Sequence, residues 1–307
     1  MAARRSIAFV AIVLVALLGC AASDERAETR SALGDDRVTV GSFNFPESVL
    51  LAELYSQALE ANGIRVERAF GLGPREFAGP ALDAGLIELL PEYAGTALVF
   101  RSLGTVRPSA DVDATHRDLE RVLTASDVTA LASAPAQSAN TFVVARAIAR
   151  RYHLARLSDL GDVADRLTFG GPPECPSRPL CLRGLGERYG LHFDEVVTLD
   201  TSGPVTHQAL RDGDVDVALM FTTDPSLEEF VELLDDRTLQ PAENVTPLVR
   251  REVLVRLGPQ VAEAIDMVSR RLTTASLRSL NSSDAGEPGS ADVAAIAAAW
   301  LQARGAS

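Results

Sequence analysis

The chain has 307 residues, 47% of them hydrophobic, and a formal net charge of −13. That charge excludes a nucleic-acid partner, because phosphate binding needs a basic surface. The apolar share supports real hydrophobic cores, and the length allows two lobes of ordinary domain size.

Residues 1–19 read as a signal peptide. Arg4 and Arg5 form a positive start, and Ile7 to Leu18 is an almost unbroken apolar run. The run is shorter than the ~20 residues a membrane-spanning helix needs. It ends in Leu17-Leu18-Gly19-Cys20, which resembles a bacterial lipobox, whose cysteine thiol is acylated and becomes the new N-terminus. Cys20 is thus expected to carry a lipid anchor that holds the chain at a membrane, outside the cytoplasm, with an ordinary signal peptide or a short anchor as the alternative. Residues 20–36 lack apolar periodicity and read as a solvated tether.

Residues 38–43 are β-rich and run into Asn44-Phe45-Pro46-Glu47, where proline and glutamate suit a helix start. Leu50, Leu51, Leu54, Tyr55 and Ala58 then share one helical face. Gly63 ends that helix, and residues 65–70 form the next strand. Residues 74–84 form a second helix stopped by Gly85, and 87–90 a third strand. At an offset of about 128 residues the pattern returns. Val38-Thr39-Val40-Gly41-Ser42 matches Leu167-Thr168-Phe169-Gly170-Gly171, and Asn62-Gly63-Ile64 matches Tyr189-Gly190-Leu191. Ala81-Leu82-Asp83-Ala84-Gly85-Leu86-Ile87-Glu88 matches Ala209-Leu210-Arg211-Asp212-Gly213-Asp214-Val215-Asp216. The second copy places strands near 166–170, 195–199 and 215–220. Such alternation implies an α/β fold with parallel sheets and helices on both faces.

Two copies in one chain point to two lobes with a cleft between them. Polar stretches around 135–144 and 239–250 read as the outward and return crossovers, which together make a hinge. Lobe 1 is expected to span 37–136 and 244–307, with helices near 259–272 and 291–303 packing back on it, and lobe 2 to span 137–243. Open α/β sheets bind ligands beyond the carboxyl ends of their strands. The candidates for contact with a small solute there are Phe43, Asn44, Phe45, Tyr93, Thr96, Asn140, Phe221, Thr222 and Asp224. Structural turns and caps use the same residue types, and Glu47 and Glu92 equally suit helix starts.

Cys175 and Cys181 share one proline-stiffened loop, which in an extracytoplasmic protein points to a disulfide, with two free thiols as the alternative. No histidine lies nearby in sequence and the spacing is wrong for a zinc knuckle. Gly71-Leu72-Gly73 begins like a dinucleotide fingerprint, but Glu76 stands where the third glycine belongs. His116, His153, His192 and His207 are scattered, and no nucleophile elbow or zinc-protease helix is present. No catalysis, metal or cofactor is expected.

Val40-Gly41-Ser42-Phe43-Asn44-Phe45-Pro46-Glu47 and Pro91-Glu92-Tyr93-Ala94-Gly95-Thr96-Ala97-Leu98, with residues 135–144 and Gln240-Pro241-Ala242-Glu243-Asn244, carry a resemblance. They resemble the substrate-binding proteins of osmoprotectant ABC importers, which carry glycine betaine, choline or carnitine, over roughly residues 37–300. The resemblance implies a two-lobed periplasmic-binding fold of type II with two hinge crossovers and no catalysis. It also implies a small compatible solute as ligand and a membrane permease as partner; a monomer is expected. The family's ligand site is a cage of aromatic rings, each attracting a desolvated cation by roughly 0.5–2 kcal/mol. Tyr93 sits where the family's Pro-Glu-Tyr motif places a tyrosine. Leu90 stands ahead of Pro91 where relatives often carry tyrosine, and Ala242-Glu243 stands where many betaine binders have an aromatic. A lipoprotein sensor for a small solute would share all these features. An enzyme on the same scaffold would need converging acid–base or metal-binding groups, which the sequence does not display.

Overall fold

The computed structural model describes residues 36–283 and 291–305; the expected signal peptide, Cys20 and all but the last residue of the expected tether lie outside the described residues. The first repeat folds as β1 (Arg37–Gly41), α1 (Pro46–Ala61), β2 (Arg65–Ala69), α2 (Arg75–Asp83) and β3 (Leu89–Tyr93). It continues into α3 (Ala94–Arg101), α4 (Val112–Leu123) and β4 (Val128–Ala130). Residues 131–139 cross to a second sheet, built from β5 (Asn140–Val144), α5 (Arg146–Tyr152), β6 (Thr168–Gly171) and α6 (Leu182–Tyr189). β7 (Glu195–Thr198), α7 (Pro204–Asp212), β8 (Val217–Phe221) and β9 (Val231–Leu233) complete that lobe. Residues 234–244 return the chain to β10 (Val245–Arg250), followed by α8 (Arg251–Leu257), α9 (Gln260–Arg271), α10 (Thr274–Ser283) and α11 (Ala291–Ala303).

Two five-stranded sheets result, ordered β2-β1-β3-β10-β4 and β7-β6-β8-β5-β9. The repeat strands pair in matching parallel register, Val40 opposite Leu89 in one sheet and Phe169 opposite Val217 in the other. The sheets are not wholly parallel, which corrects the expectation from alternation. β10 runs antiparallel to β3 and β4, and β5 antiparallel to β8 and β9. The crossings explain this. Each newly arrived strand enters at the carboxyl tips, Val245 beside Tyr93 and Asn140 beside Phe221, and must therefore point the other way.

β3 also runs further than residues 87–90. Pro91, a strand breaker on its own, lies opposite Pro247 of β10. Ala94 N–H donates to the Asn244 carbonyl and Leu131 N–H to the Pro247 carbonyl, so Pro91 and Pro247 form a non-hydrogen-bonded pair whose N atoms turn away from each other, and neither ring removes a bond between β3 and β10. The two crossings are themselves zipped together. Val245 N–H donates to the Ala136 carbonyl at 2.9 Å, Ala134 N–H to Val245 at 2.8 Å, and Ser138 N–H to Glu243 at 3.0 Å.

In the first lobe Leu50, Leu51, Leu54, Tyr55 and Ala58 of α1 are fully buried. The Tyr55 hydroxyl lies 3.0 Å from Ser269 Oγ of α9, and Gln57 donates to the Ala294 carbonyl of α11 at 2.8 Å. The C-terminal helices thus cover α1, and Trp300 sits in this core. The second lobe fills both faces of its sheet, Phe142, Phe169 and Leu219 on one side and Val143, Ala218 and Met220 on the other. A disulfide joins Cys175 and Cys181, both buried in the first of these clusters.

Candidate functional site

Strand tips of both sheets converge on a cavity of about 320 Å³. Four aromatic rings crowd one side of it. β1 stops at Gly41 and the chain bends at Asn44 and Phe45 before α1, leaving Phe43 and Phe45 buried and Asn44 between them exposed. Phe45 is the hub: its ring centroid lies 5.8 Å from Phe43, 6.2 Å from Tyr93 and 5.2 Å from Phe221. Tyr93 ends β3 and Phe221 ends β8, so the cluster draws on both lobes. The Arg75 guanidinium carbon sits 4.9 Å from the Phe43 ring centre, so a cation of the protein already engages that ring.

A buried polar frame holds the rings. Arg75 grips Glu92 in a two-pronged pair, Nε to Oε1 and Nη2 to Oε2, each at 2.8 Å. The Tyr93 hydroxyl donates to Glu47 Oε1 at 2.7 Å. Glu47 Oε2 in turn accepts from the Thr223 hydroxyl of the second lobe and from Asn281 Nδ2 of α10 at 2.6 Å. Burial, reinforced by the Glu47 charge, pushes the Tyr93 phenol well above its ordinary range, which keeps it a donor.

The return crossing caps α3. Ala94 N–H donates to the Asn244 carbonyl at 3.0 Å, Gly95 N–H to Ala242 at 3.1 Å, and Thr96 N–H to Glu243 Oε2 at 3.1 Å. These are donors that a helix start otherwise leaves unsatisfied. Position 95 must be glycine for this approach, since a Cβ there would lie 2.3 Å from Pro241 Cγ. The Glu243 carboxylate also accepts the Thr96 hydroxyl and faces the cavity, with 1% of the residue exposed. Burial raises its pKa to about 7, the Thr96 bonds offsetting part of the effect. Glu174, Ser177, Arg178, Pro179, Leu180 and Arg183 of the second lobe line the cavity as well.

Residues 36–303 match the family described as the substrate binding domain of ABC-type glycine betaine transport systems. The chain belongs to that family. It is 28% identical over 260 residues to a glycine-betaine-binding protein of Pseudomonas aeruginosa, covering 80% of this chain and 81% of that one. It is 25% identical to the glycine betaine-binding protein YehZ of Escherichia coli, covering 87% and 90%. The apo structure of YehZ aligns at a TM-score of 0.62 over 88% of this chain and 99% of that one. A structure described as a glycine betaine/carnitine/choline ABC transporter aligns at 0.67, with 22% identity over 88% and 99% of the two chains, a likeness of fold.

In this substrate-binding domain the structure brings together most of the residues singled out at the strand tips. Phe43, Asn44, Phe45, Tyr93, Thr96, Asn140 and Phe221 all line the cavity. Thr222 and Asp224 do not. Thr222 exchanges backbone and side-chain bonds with Ala139 in the outward crossing. Asp224 caps the turn Pro225–Glu229 through Ser226 N–H, lies 2.8 Å from His207 Nε2, and borders a smaller adjoining cavity of about 160 Å³. Leu90 points into the core with no exposure, and Ala242 is buried, so Glu243 is the member of its pair that meets the cavity. Arg75, Arg178 and Arg183 line the cavity beyond the residues expected there. Arg75 and Arg178 meet Glu92 and Glu76 only through tertiary contacts, and Arg183 pairs with Glu187 one turn along α6.

Proposed function

We propose that this cavity captures a small solute with a quaternary ammonium head, such as glycine betaine, choline or carnitine, for delivery to an ABC permease. The observation that carries the reading is the cluster of Phe45, Tyr93 and Phe221, whose rings reach one cavity from the tips of both sheets. A desolvated cation gains roughly 0.5–2 kcal/mol from each such ring face. Glu243 adds a buried carboxyl beside them, while Arg178 and Arg183 offer positive charge to an anionic tail. The relatives named for glycine betaine and carnitine support the same solute class.

Phe43, Asn44, Thr96 and Asn140 complete the proposed contact set. Lobe 1 is taken as 37–136 and 244–307, lobe 2 as 137–243, hinged at the two zipped crossings. Solute touching both lobes favours their closed arrangement by population shift, and the protein itself performs no chemistry on it. Lipidation at Cys20 would hold this monomeric receptor at the outer face of a membrane, beside its permease.

The test is a thermal-shift and calorimetric panel of glycine betaine, choline and carnitine, each beside the tert-butyl isostere in which carbon replaces the ammonium nitrogen. Ligand binding raises stability by RT ln(1 + [L]/Kd), so a quaternary ammonium solute should raise the melting temperature and its isostere should not. Indifference to every quaternary ammonium solute, or equal response to the isosteres, overturns the reading.

A further inference from the structure

Arg178 stands between the two cysteines of the second lobe's tip, inside the ring that the Cys175–Cys181 disulfide closes. Its Nη2 donates to Glu76 Oε2 at 2.8 Å and lies 3.3 Å from Glu174 Oε1. Glu76 belongs to the first turn of α2 in the first lobe, so this pair bridges the lobes at the cavity. Burial pushes the Glu76 carboxyl up, but the hydrogen bond and charge of Arg178, with Arg75 adding to them, leave it below its ordinary value.

The same ring is tied to the hinge. The Leu180 carbonyl accepts from Asn140 Nδ2, the first residue after the outward crossing, at 3.1 Å and from Gln240 Nε2 of the return crossing at 3.0 Å. α6 presses against it from behind, where a Cβ at Gly184 would lie 1.9 Å from the Pro179 carbonyl oxygen. A partly exposed ion pair alone shifts an equilibrium by no more than about fivefold. A loop already held in shape by a short covalent ring forfeits less entropy when it docks, so pair and ring act together.

We infer that Arg178 is a positioning residue for solute binding: the disulfide ring presents it to Glu76, and the pair fixes residues 174–180 as the wall facing the aromatic rings. The inference rests on the cavity being the solute site, yet its structural half is measurable without solute.

Hydrogen–deuterium exchange of the ligand-free protein tests it. Glu76→Ala, in the opposite lobe and with the disulfide intact, should speed exchange in residues 174–181 by roughly twofold to fivefold. Cys175→Ser/Cys181→Ser should speed exchange at Phe77 and Ala78, whose N–H groups donate to Pro74. Strands β6 and β8 should keep wild-type protection in both, which a general loss of stability would not allow. Should the double cysteine variant fail to fold, Arg178→Gln must give the same response at Phe77 and Ala78. An unchanged loop in Glu76→Ala, or an unchanged first-lobe turn in the other variants, overturns the inference. With glycine betaine as probe, Glu76→Ala should release it faster by the same factor. A wild-type protein that ignores glycine betaine counts against that solute alone and leaves the exchange result standing.

Discussion

In the first repeat Glu88 N–H donates to the Thr39 carbonyl at 2.7 Å, and the Glu88 carboxylate accepts Thr39 N–H at 3.0 Å. In the second, Asp216 and Thr168 make the same two bonds at 2.9 and 3.0 Å. Gly41 and Gly170 hold matching places, where a Cβ would come within 2.4 Å of Ile87 Cδ1 and 2.5 Å of Leu199 Cδ1. Tyr93 and Phe221 also correspond, each ending the third strand of its copy and each flanking Phe45. Past the tip of each copy's first strand the likeness stops. Ser42-Phe43-Asn44-Phe45 supplies rings, while its counterpart Gly171-Pro172-Pro173-Glu174 leads into a braced, charged loop. A shared frame therefore presents two chemically different walls, as a solute with a cationic head and a polar tail requires.

The largest effect should come from breaking that asymmetry at its hub. Phe45→Ala is expected to cost about 3–5 kcal/mol of stability and to abolish any melting-temperature response to quaternary ammonium solutes. Glu174→Ala, at the matching position, should stay within about 1 kcal/mol and keep the response. Equal behaviour of the two variants in the same thermal-shift series would remove the division of labour between the walls. Next in size is the titration of Glu243. Its folded pKa is raised from 4.5 to about 7, so the folded chain binds a proton over that interval that the unfolded chain lacks. Stability from this group is complete below pH 4.5 and is lost as pH climbs through about 7, by up to ~3 kcal/mol. Urea midpoints of Glu243→Gln should lack that decline; an unchanged pH profile means the carboxyl titrates normally.

Those two residues show where sequence reasoning reached and where it stopped. The frame was legible because its constraints are local. Glycines at 63, 85, 190 and 213 occupy left-handed conformations, and β6 and β8 pair in the register of β1 and β3. Tyr93 and the two phenylalanines before α1 were legible as strand tips. The direction of β5 and β10 was not, since it depends on where each crossing delivers the chain. Glu243 stood out only as a departure from an aromatic, because its burial needs both α3 and the crossing to be in place. Arg178 could not be placed at all without knowing that its ring turns toward Glu76.

Two further comparisons probe the frame itself. Gly41→Ala and Gly170→Ala should each lose about 1–3 kcal/mol, because the new methyl meets buried Ile87 in one copy and half-buried Leu199 with buried Val215 in the other. A neutral result at one of them would mean that its sheet can shift where the other cannot. The smallest expected effect concerns the paired clamps on Thr39 and Thr168. Asp216→Ala leaves the Thr168 N–H without its carboxylate acceptor and should cost about 1 kcal/mol, while Asp216→Asn, which keeps an oxygen in place, should cost less. Glu88→Ala should cost more than Asp216→Ala, because Glu88 also holds Arg256 at 2.9 Å. With Arg256→Gln as the background, that excess should vanish and the two clamps should agree within about 0.5 kcal/mol, read as urea midpoints at constant m. A difference that survives this background would show that the duplicated bonds are alike in geometry but not in energy, the first sheet drawing support from neighbours that the second never had.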